Sequence, residues 1–136
     1  YKYVLIDCPP SLNILTVNAL TASTSLIIPV QCEFFALQGL TELMTTIEHI
    51  KTRANKQLKI KGILRTMFDP RNNLALDVSK QLTKHFKTQV FKTIIPRNIR
   101  LAEAPSHGQP IEEYDDSSKG AYAYMSLVGE IIKQEN

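Results

Sequence analysis

Asp7 is the residue whose type and setting most clearly suggest chemistry. It ends the apolar run Tyr3-Val-Leu-Ile6, and Cys8-Pro9-Pro10-Ser11 follows it. Two prolines in a row cannot continue a hydrogen-bonded strand. A buried parallel strand that stops on a carboxylate delivers that acid to the carboxyl edge of an α/β sheet, where such sheets bind ligands. In phosphate-loop nucleotidases an acid at this point faces the magnesium of a bound nucleotide. Magnesium beside phosphates takes few protein carboxylates and keeps several waters, so Asp7 would hold the ion directly or through its water. Asp7 could instead be a turn or N-cap acid; the Pro9-Pro10-Ser11 that follows favours the magnesium-facing reading.

Two further polar clusters follow apolar runs: Thr66-Met-Phe-Asp-Pro-Arg71 and Pro96-Arg-Asn-Ile-Arg100. Their simplest reading is a pair of solvated loops. A sharper one divides the labour. Residues nearest the strand ends (Thr66, Met67, Pro96, Arg97 and Asn98) would contact a base or ribose. Arg71 and Arg100, further out, would face solvent and a polyanion. An arginine fork bonds two phosphate oxygens at once, and a few such contacts give salt-sensitive, sequence-independent DNA binding. No base-reading helix-turn-helix is apparent. His49 and His85 fall on expected helices as surface or partly packed residues. His107 lies in Glu103-Ala-Pro-Ser-His-Gly108, with no nucleophile paired to it in sequence. Ser11 and Ser106 lack the G-x-S-x-G setting of a hydrolase.

The elements that must position these residues alternate between apolar runs and helical patterns, which predicts βα units and a parallel sheet. Strands are expected at Tyr3–Ile6, Ser25–Val30, Ile60–Met67 and Gln89–Ile95, with Pro29 an irregularity in the second and Pro96 ending the fourth. Helices are expected at Ser11–Ala22, Gly39–Ala54 and Leu74–Phe86. Leu40, Leu43, Met44, Ile47 and Ile50 form one stripe, and Leu74, Val78, Leu82 and Phe86 another. Gln31–Gln38 reads as a loop, Phe68–Asn73 as a polar turn, and Arg97–Pro110 as a long loop with a helical turn at Ile99–Ala104. Ser117 or Ser118 would cap a final helix running to about Lys133. In a parallel sheet the clusters after the first, third and fourth strands converge on one edge.

Composition sets the bounds. The chain has 136 residues, 43% of them hydrophobic, enough for one domain with a core. Its net charge of +3 is compatible with nucleic acid without requiring it. Cys8 and Cys32 are 24 residues apart with no zinc or cluster spacing, and are expected to be buried thiols. No apolar run approaches a membrane span, and no signal peptide heads the sequence. The five glycines contain no pair spaced as G-x-x-x-x-G-K-[ST]. The sequence opens in a core strand without a Met, so residues 1–136 read as an excerpt: the C-terminal half of one nucleotide-binding domain.

Four motifs in order carry a resemblance. VLIDCPPSL, IIPVQCEFFALQGL, TMFDPRNNL and IIPRNIRLAEAPSHGQPI, followed by SKGAYAY, resemble the ParA/Soj chromosome-partitioning ATPases. These bacterial proteins form, with MinD, the deviant Walker-A group of P-loop NTPases. The resemblance runs from Tyr1 to about Ile132. It implies an α/β fold, the C-terminal part of a doubly wound parallel sheet. It implies ATP and Mg2+ as cofactors, a homodimer closed over nucleotide, nonspecific DNA binding by that dimer, a ParB-type partner and a cytoplasmic, nucleoid-associated location. Asp7 matches the Walker B acid. Pro9, Pro10 and Ser11 match the switch segment after it. Met67, Pro96, Arg97 and Asn98 match residues around adenine, and Arg71 and Arg100 match DNA-contacting arginines. Gln31–Gly39 would lie near the dimer face. The phosphate loop, its lysines and the switch I acid do not occur in this sequence, so the chain alone is expected not to hydrolyse ATP, and to be marginally stable or self-pairing.

Three other readings compete. A MinD-like membrane-associated ATPase needs a basic amphipathic anchor, and the tail Gly129-Glu-Ile-Ile-Lys-Gln-Glu-Asn136 carries little basic charge. An iron–sulfur carrier needs cluster cysteines that Cys8 and Cys32 do not supply. A non-catalytic interaction module is the third.

Overall fold

The computed structural model describes residues 1–9 and 13–135. Three strands form one parallel sheet in the order β1 (Ser25–Gln31), β2 (Lys59–Phe68), β3 (Val90–Pro96). Helix α1 (Ile14–Ala22) precedes β1, α2 (Ala36–Arg53) links β1 to β2, and α3 (Asn73–Phe86) links β2 to β3. The short helices α4 (Ile99–Glu103) and α5 (Ile111–Tyr114) lead to α6 (Lys119–Lys133).

Strand alternation divides the core in two. Ile28, Ile63 and Val90 face a layer with Leu20 of α1, Ile47 and Ile50 of α2, and Val78 and Leu82 of α3. Their neighbours Ile27, Leu64 and Phe91 point the other way, onto Leu127 and Ile131 of α6 and Leu101 of α4. The central strand β2 is covered on both faces, so Gly62, Ile63, Leu64 and Arg65 are buried in succession. A Cβ at Gly62 would stand 2.4 Å from the Phe91 ring, so this glycine is what lets Phe91 close over the middle of the sheet.

The expected strand at Tyr3–Ile6 does not form. Tyr3, Val4, Leu5 and Ile6 are exposed, and none has a ladder partner among the described residues. A lone strand pays its ordering entropy with no ladder hydrogen bonds in return, so an apolar run needs a neighbouring strand to become one. Cys8 is correspondingly exposed, against expectation, while Cys32 is buried just after β1. Pro29 sits inside β1 opposite Leu64; β1 is an edge strand here, and an edge tolerates the missing N–H.

Other boundaries shift for local reasons. Helix α1 begins at Ile14 because the Asn13 side chain accepts from the N–H groups of Leu15 and Thr16. Helix α2 starts at Ala36, so Gly39 lies within it rather than opening it. Leu74, expected in the apolar stripe of α3, is exposed at that helix's first turn. Between Arg97 and Pro110 the chain is ordered by helix α4 and a 3₁₀ turn at Ala104–His107, which ends on Gly108 at φ 65°. Ser118, not Ser117, caps α6 by accepting from the Ala121 N–H.

Candidate functional site

The carboxyl ends of all three strands meet at one edge. Gln31 of β1 is level with Thr66 of β2, and Phe68 with Pro96 of β3. The Arg97 N–H donates to the Phe68 carbonyl at 3.0 Å and carries the pairing one step past the strand. The clusters after β2 and β3 are therefore neighbours, as strand alternation requires. Met67 sits where the register slips between Arg65 and Phe68, with φ 51°. A left-handed methionine costs on the order of 1–3 kcal/mol, and such strain collects at functional sites. Its effect is to display an apolar side chain, 52% exposed, at the sheet edge.

Beyond β2, Arg71 is gripped by Asp69. Its Nε donates to Oδ1 at 2.9 Å, Nη2 donates to Oδ2 at 2.7 Å, and its backbone N–H donates to Oδ1 at 3.0 Å. These hydrogen bonds, with Arg71 and Arg97 charge nearby, hold the Asp69 carboxyl down at about 2. Asp69 uses the Nε–Nη2 side of the guanidinium and leaves the Nη1–Nη2 end free. Arg71 itself is 88% exposed, so that end faces solvent. The next residue, Asn72, caps α3 through its side-chain oxygen.

Beyond β3, Arg97 is exposed and Asn98 caps α4, accepting from Arg100 N–H at 2.8 Å and Leu101 N–H at 3.4 Å. Capping occupies the Asn98 oxygen, so the amide NH2 is the part of that side chain left for a ligand. Arg100 donates from Nη1 to Glu103 at 2.9 Å, and its Nε lies 3.3 Å from Asp115. Tyr114 also donates to Glu103, and His107 stacks on the Tyr114 ring at 4.9 Å. The Arg100 and Tyr114 hydrogen bonds hold the Glu103 carboxyl below its usual range.

Thr66, Met67, Pro96, Arg97 and Asn98 thus gather at one edge, with Arg71 and Arg100 on the loops beyond it. Asp7 is not brought to this group: its segment is exposed, and Tyr3 is tied to Glu135 at the C-terminal end of α6 by a 2.6 Å hydrogen bond. Pro9 is exposed in the same segment, and Pro10 and Ser11 lie outside the described residues. Sequence reasoning missed the acids Asp69, Glu103 and Asp115 that hold the two arginines. The Arg100–Glu103 spacing was the available signal, being an i,i+3 helix pair. Asp115 is brought in by the fold alone.

The cluster offers an exposed apolar side chain, an amide NH2 and an exposed guanidinium beside a bulged backbone. Among the described residues no three His, Cys, Asp or Glu side chains gather to hold a metal.

A family model described as an AAA domain matches residues 1–60. The Bacillus subtilis sporulation initiation inhibitor protein Soj is 53% identical over 131 residues, 96% of this chain and 52% of the relative. The chromosome partitioning protein ParA of Caulobacter vibrioides is 52% identical over 99% of this chain and 51% of its own length. The chromosome-partitioning ATPase Soj of Treponema pallidum is 51% identical over 99% of this chain and 53% of its own. The chain belongs to the ParA/Soj family. It spans about half the length of the curated relatives it matches.

Solved structures agree on the fold of this ParA/Soj chain. Cobyrinic acid a,c-diamide synthase from Mycobacterium smegmatis superposes with TM-score 0.74 at 32% identity, over 96% of this chain and 46% of that one. The same enzyme with bound ATP analog and magnesium gives 0.69 at 33% identity, over 90% and 43%. The cell division ATPase MinD of Pyrococcus furiosus gives 0.70 at 22% identity, over 94% and 50%, a likeness of fold alone. The chain is part of a doubly wound, parallel-sheet P-loop NTPase fold. Among the described residues no helix is long and apolar enough to cross a membrane.

Proposed function

We propose that this chain forms the base-facing and DNA-facing part of an ATP-dependent DNA-partitioning switch of the ParA/Soj type. The observation that carries the proposal is the joining of the β2 and β3 ends, Phe68 level with Pro96, which sets two arginine-bearing loops side by side at the ligand edge of the sheet. Met67, Pro96, Arg97 and Asn98 surround adenine. Arg71 and Arg100 meet the DNA backbone, each oriented by a neighbouring carboxylate. ATP brings the charge and leaving group for hydrolysis, with magnesium. Asp7 faces the ion through a water once Tyr3–Ile6 has a strand to pair with, and Pro9, Pro10 and Ser11 follow it as the switch segment. Gln31–Gly39, with exposed Phe34 and Phe35, lies at the face of a homodimer, and a ParB-type protein triggers release from nucleoid DNA. Residues 1–136 are the C-terminal half of the nucleotide-binding domain. Turnover needs a phosphate loop, which these residues do not contain.

The test is DNA binding by the chain and by an Arg71→Glu/Arg100→Glu variant, read by fluorescence anisotropy over a salt series. Each phosphate that is no longer neutralised lowers the slope of log affinity against log salt by about 0.9. A shallower slope and weaker binding in the variant support the assignment. An unchanged slope removes both arginines from the DNA face.

A further inference from the structure

The opposite edge of the sheet has no part in that function. The starts of the strands gather there with the C-terminal ends of the helices. Two contacts fix this: the Asn55 amide donates to the Leu20 and Ser23 carbonyls at the end of α1, and Lys61 near the start of β2 meets Glu135 just after α6. Between these elements lies an open cleft of about 890 Å³. Thr24, Ser25, Lys51, Lys56, Lys59 and Lys61 supply its hydroxyl and ammonium lining, and Glu135 its carboxylate.

The charges in this cleft are unevenly matched. Glu135 is engaged by Lys61 and by the Tyr3 hydroxyl, and Lys51 pairs with Glu48 at 2.9 Å. Among the described residues Lys56, Lys59 and the adjacent Arg53 are exposed and form no ion pair. Complementing a helix dipole accounts for Lys51 and Arg53, both in the last turn of α2. That effect fades within the last turn, so it does not account for Lys56 in the following loop or Lys59 at the start of β2.

We propose that this cleft is a second polyanion-binding surface, which takes the phosphate backbone of duplex nucleic acid on the side of the sheet away from Arg71 and Arg100. Unpaired ammonium groups beside hydroxyl donors suit phosphate oxygens. A membrane surface is a poorer match, because it asks for exposed apolar side chains to insert among the cations. The large apolar residues of this lining offer little to insert: Leu58 is 1% exposed and Ile60 is half-buried. The surface does not depend on nucleotide or on the arginine loops, so it extends the function proposed above without resting on it.

The test uses the 136-residue chain, a Lys56→Gln/Lys59→Gln variant and the Arg71→Glu/Arg100→Glu variant. Each is titrated with a short random-sequence DNA duplex over a roughly fourfold range of salt, and circular dichroism checks that each is folded. With two fewer phosphates neutralised the salt slope is shallower by about 1.8, so the lysine variant loses about tenfold less affinity than the parent over that range. It also binds more weakly than the parent at the lowest salt. This result in the lysine variant supports the surface whatever the arginine variant does. Parental affinity and slope in the lysine variant overturn it, even where the arginine variant loses binding and the function proposed above stands. No DNA binding by the parent chain overturns it too. So does a lysine variant that keeps DNA binding but loses binding to phosphatidylserine vesicles, since that makes the cleft a membrane contact.

Discussion

Two glycines on α6 should respond to alanine with opposite signs. Gly120 lies in the first turn of the helix against Leu101, the residue after Arg100. A Cβ there would stand 2.5 Å from Leu101 Cγ and 2.8 and 2.9 Å from its two methyl carbons. Leu101 cannot easily withdraw, because it packs into both clusters that α6 helps to build. Overpacking of this kind costs about 1–3 kcal/mol, against a helix-propensity gain of at most about 1 kcal/mol. Gly120→Ala should therefore destabilise the chain by about 1–2 kcal/mol. Gly129 sits on the same helix, exposed, with nothing within 4 Å of the added carbon. Gly129→Ala should stabilise by about 0.8–1.0 kcal/mol. Urea unfolding measures both, and the denaturant slope should not change. Because Leu101 sets helix α4, Gly120→Ala should also weaken DNA binding without altering an arginine. Equal stabilisation by both substitutions would refute the claim that the Gly120–Leu101 contact seats the Arg100 loop.

Three further outcomes follow from the geometry. The Asp69 carboxyl should titrate near about 2 by NMR, and Arg71→Gln should return it toward 3.8. A depressed carboxylate adds stability above its unfolded value of 3.8 and loses it as pH falls through about 2, so the variant should be the less stable above 3.8 and the difference should vanish in acid. Glu130→Ala should destabilise by about 1–3 kcal/mol in urea unfolding, since it strips the acceptor from the Lys92 and Thr93 N–H groups at 2.8 and 2.9 Å. Burial pulls the Glu130 carboxyl up, but those two N–H groups outweigh it and hold the carboxyl below its usual range, so the wild-type advantage should fade as pH falls through that lowered value. The exposed apolar residues Val4, Leu5, Ile14, Leu15, Phe34 and Phe35 should drive concentration-dependent self-association in sedimentation velocity; a monomer at high concentration with a sharp, hot unfolding transition would contradict this.

The central units of the fold could be read from the sequence because their local signals agree with their packing. The stripes of α2 and, Leu74 apart, of α3 and the apolar runs of β1, β2 and β3 bury where their period directs. Neighbouring β2 and β3 ends follow from that alternation, and the left-handed Met67 does not: nothing in Thr66-Met67-Phe68 marks a bulge. Tyr3–Ile6 reads as a strand by composition, yet a strand is a relation between two segments and no partner stands beside it among the described residues. The same gap separates Asp7 from the arginine loops. Arg65 was not legible either. It is buried in β2, donates to Ser79 and to the Phe91 and Lys92 carbonyls, keeps an unpartnered Nε, and has its charge disfavoured by burial. No local pattern distinguishes it from a surface cation.

The most direct test of a nucleotide-gated DNA face replaces the matching half of Bacillus subtilis Soj with this chain and measures DNA binding by the chimera with ATP and with ADP, over a salt series. The expected result is salt-sensitive binding with ATP, little with ADP, and loss of the ATP-dependent part in the Arg71→Glu/Arg100→Glu chimera. Binding that ignores the nucleotide, or that survives both substitutions unchanged, would contradict it.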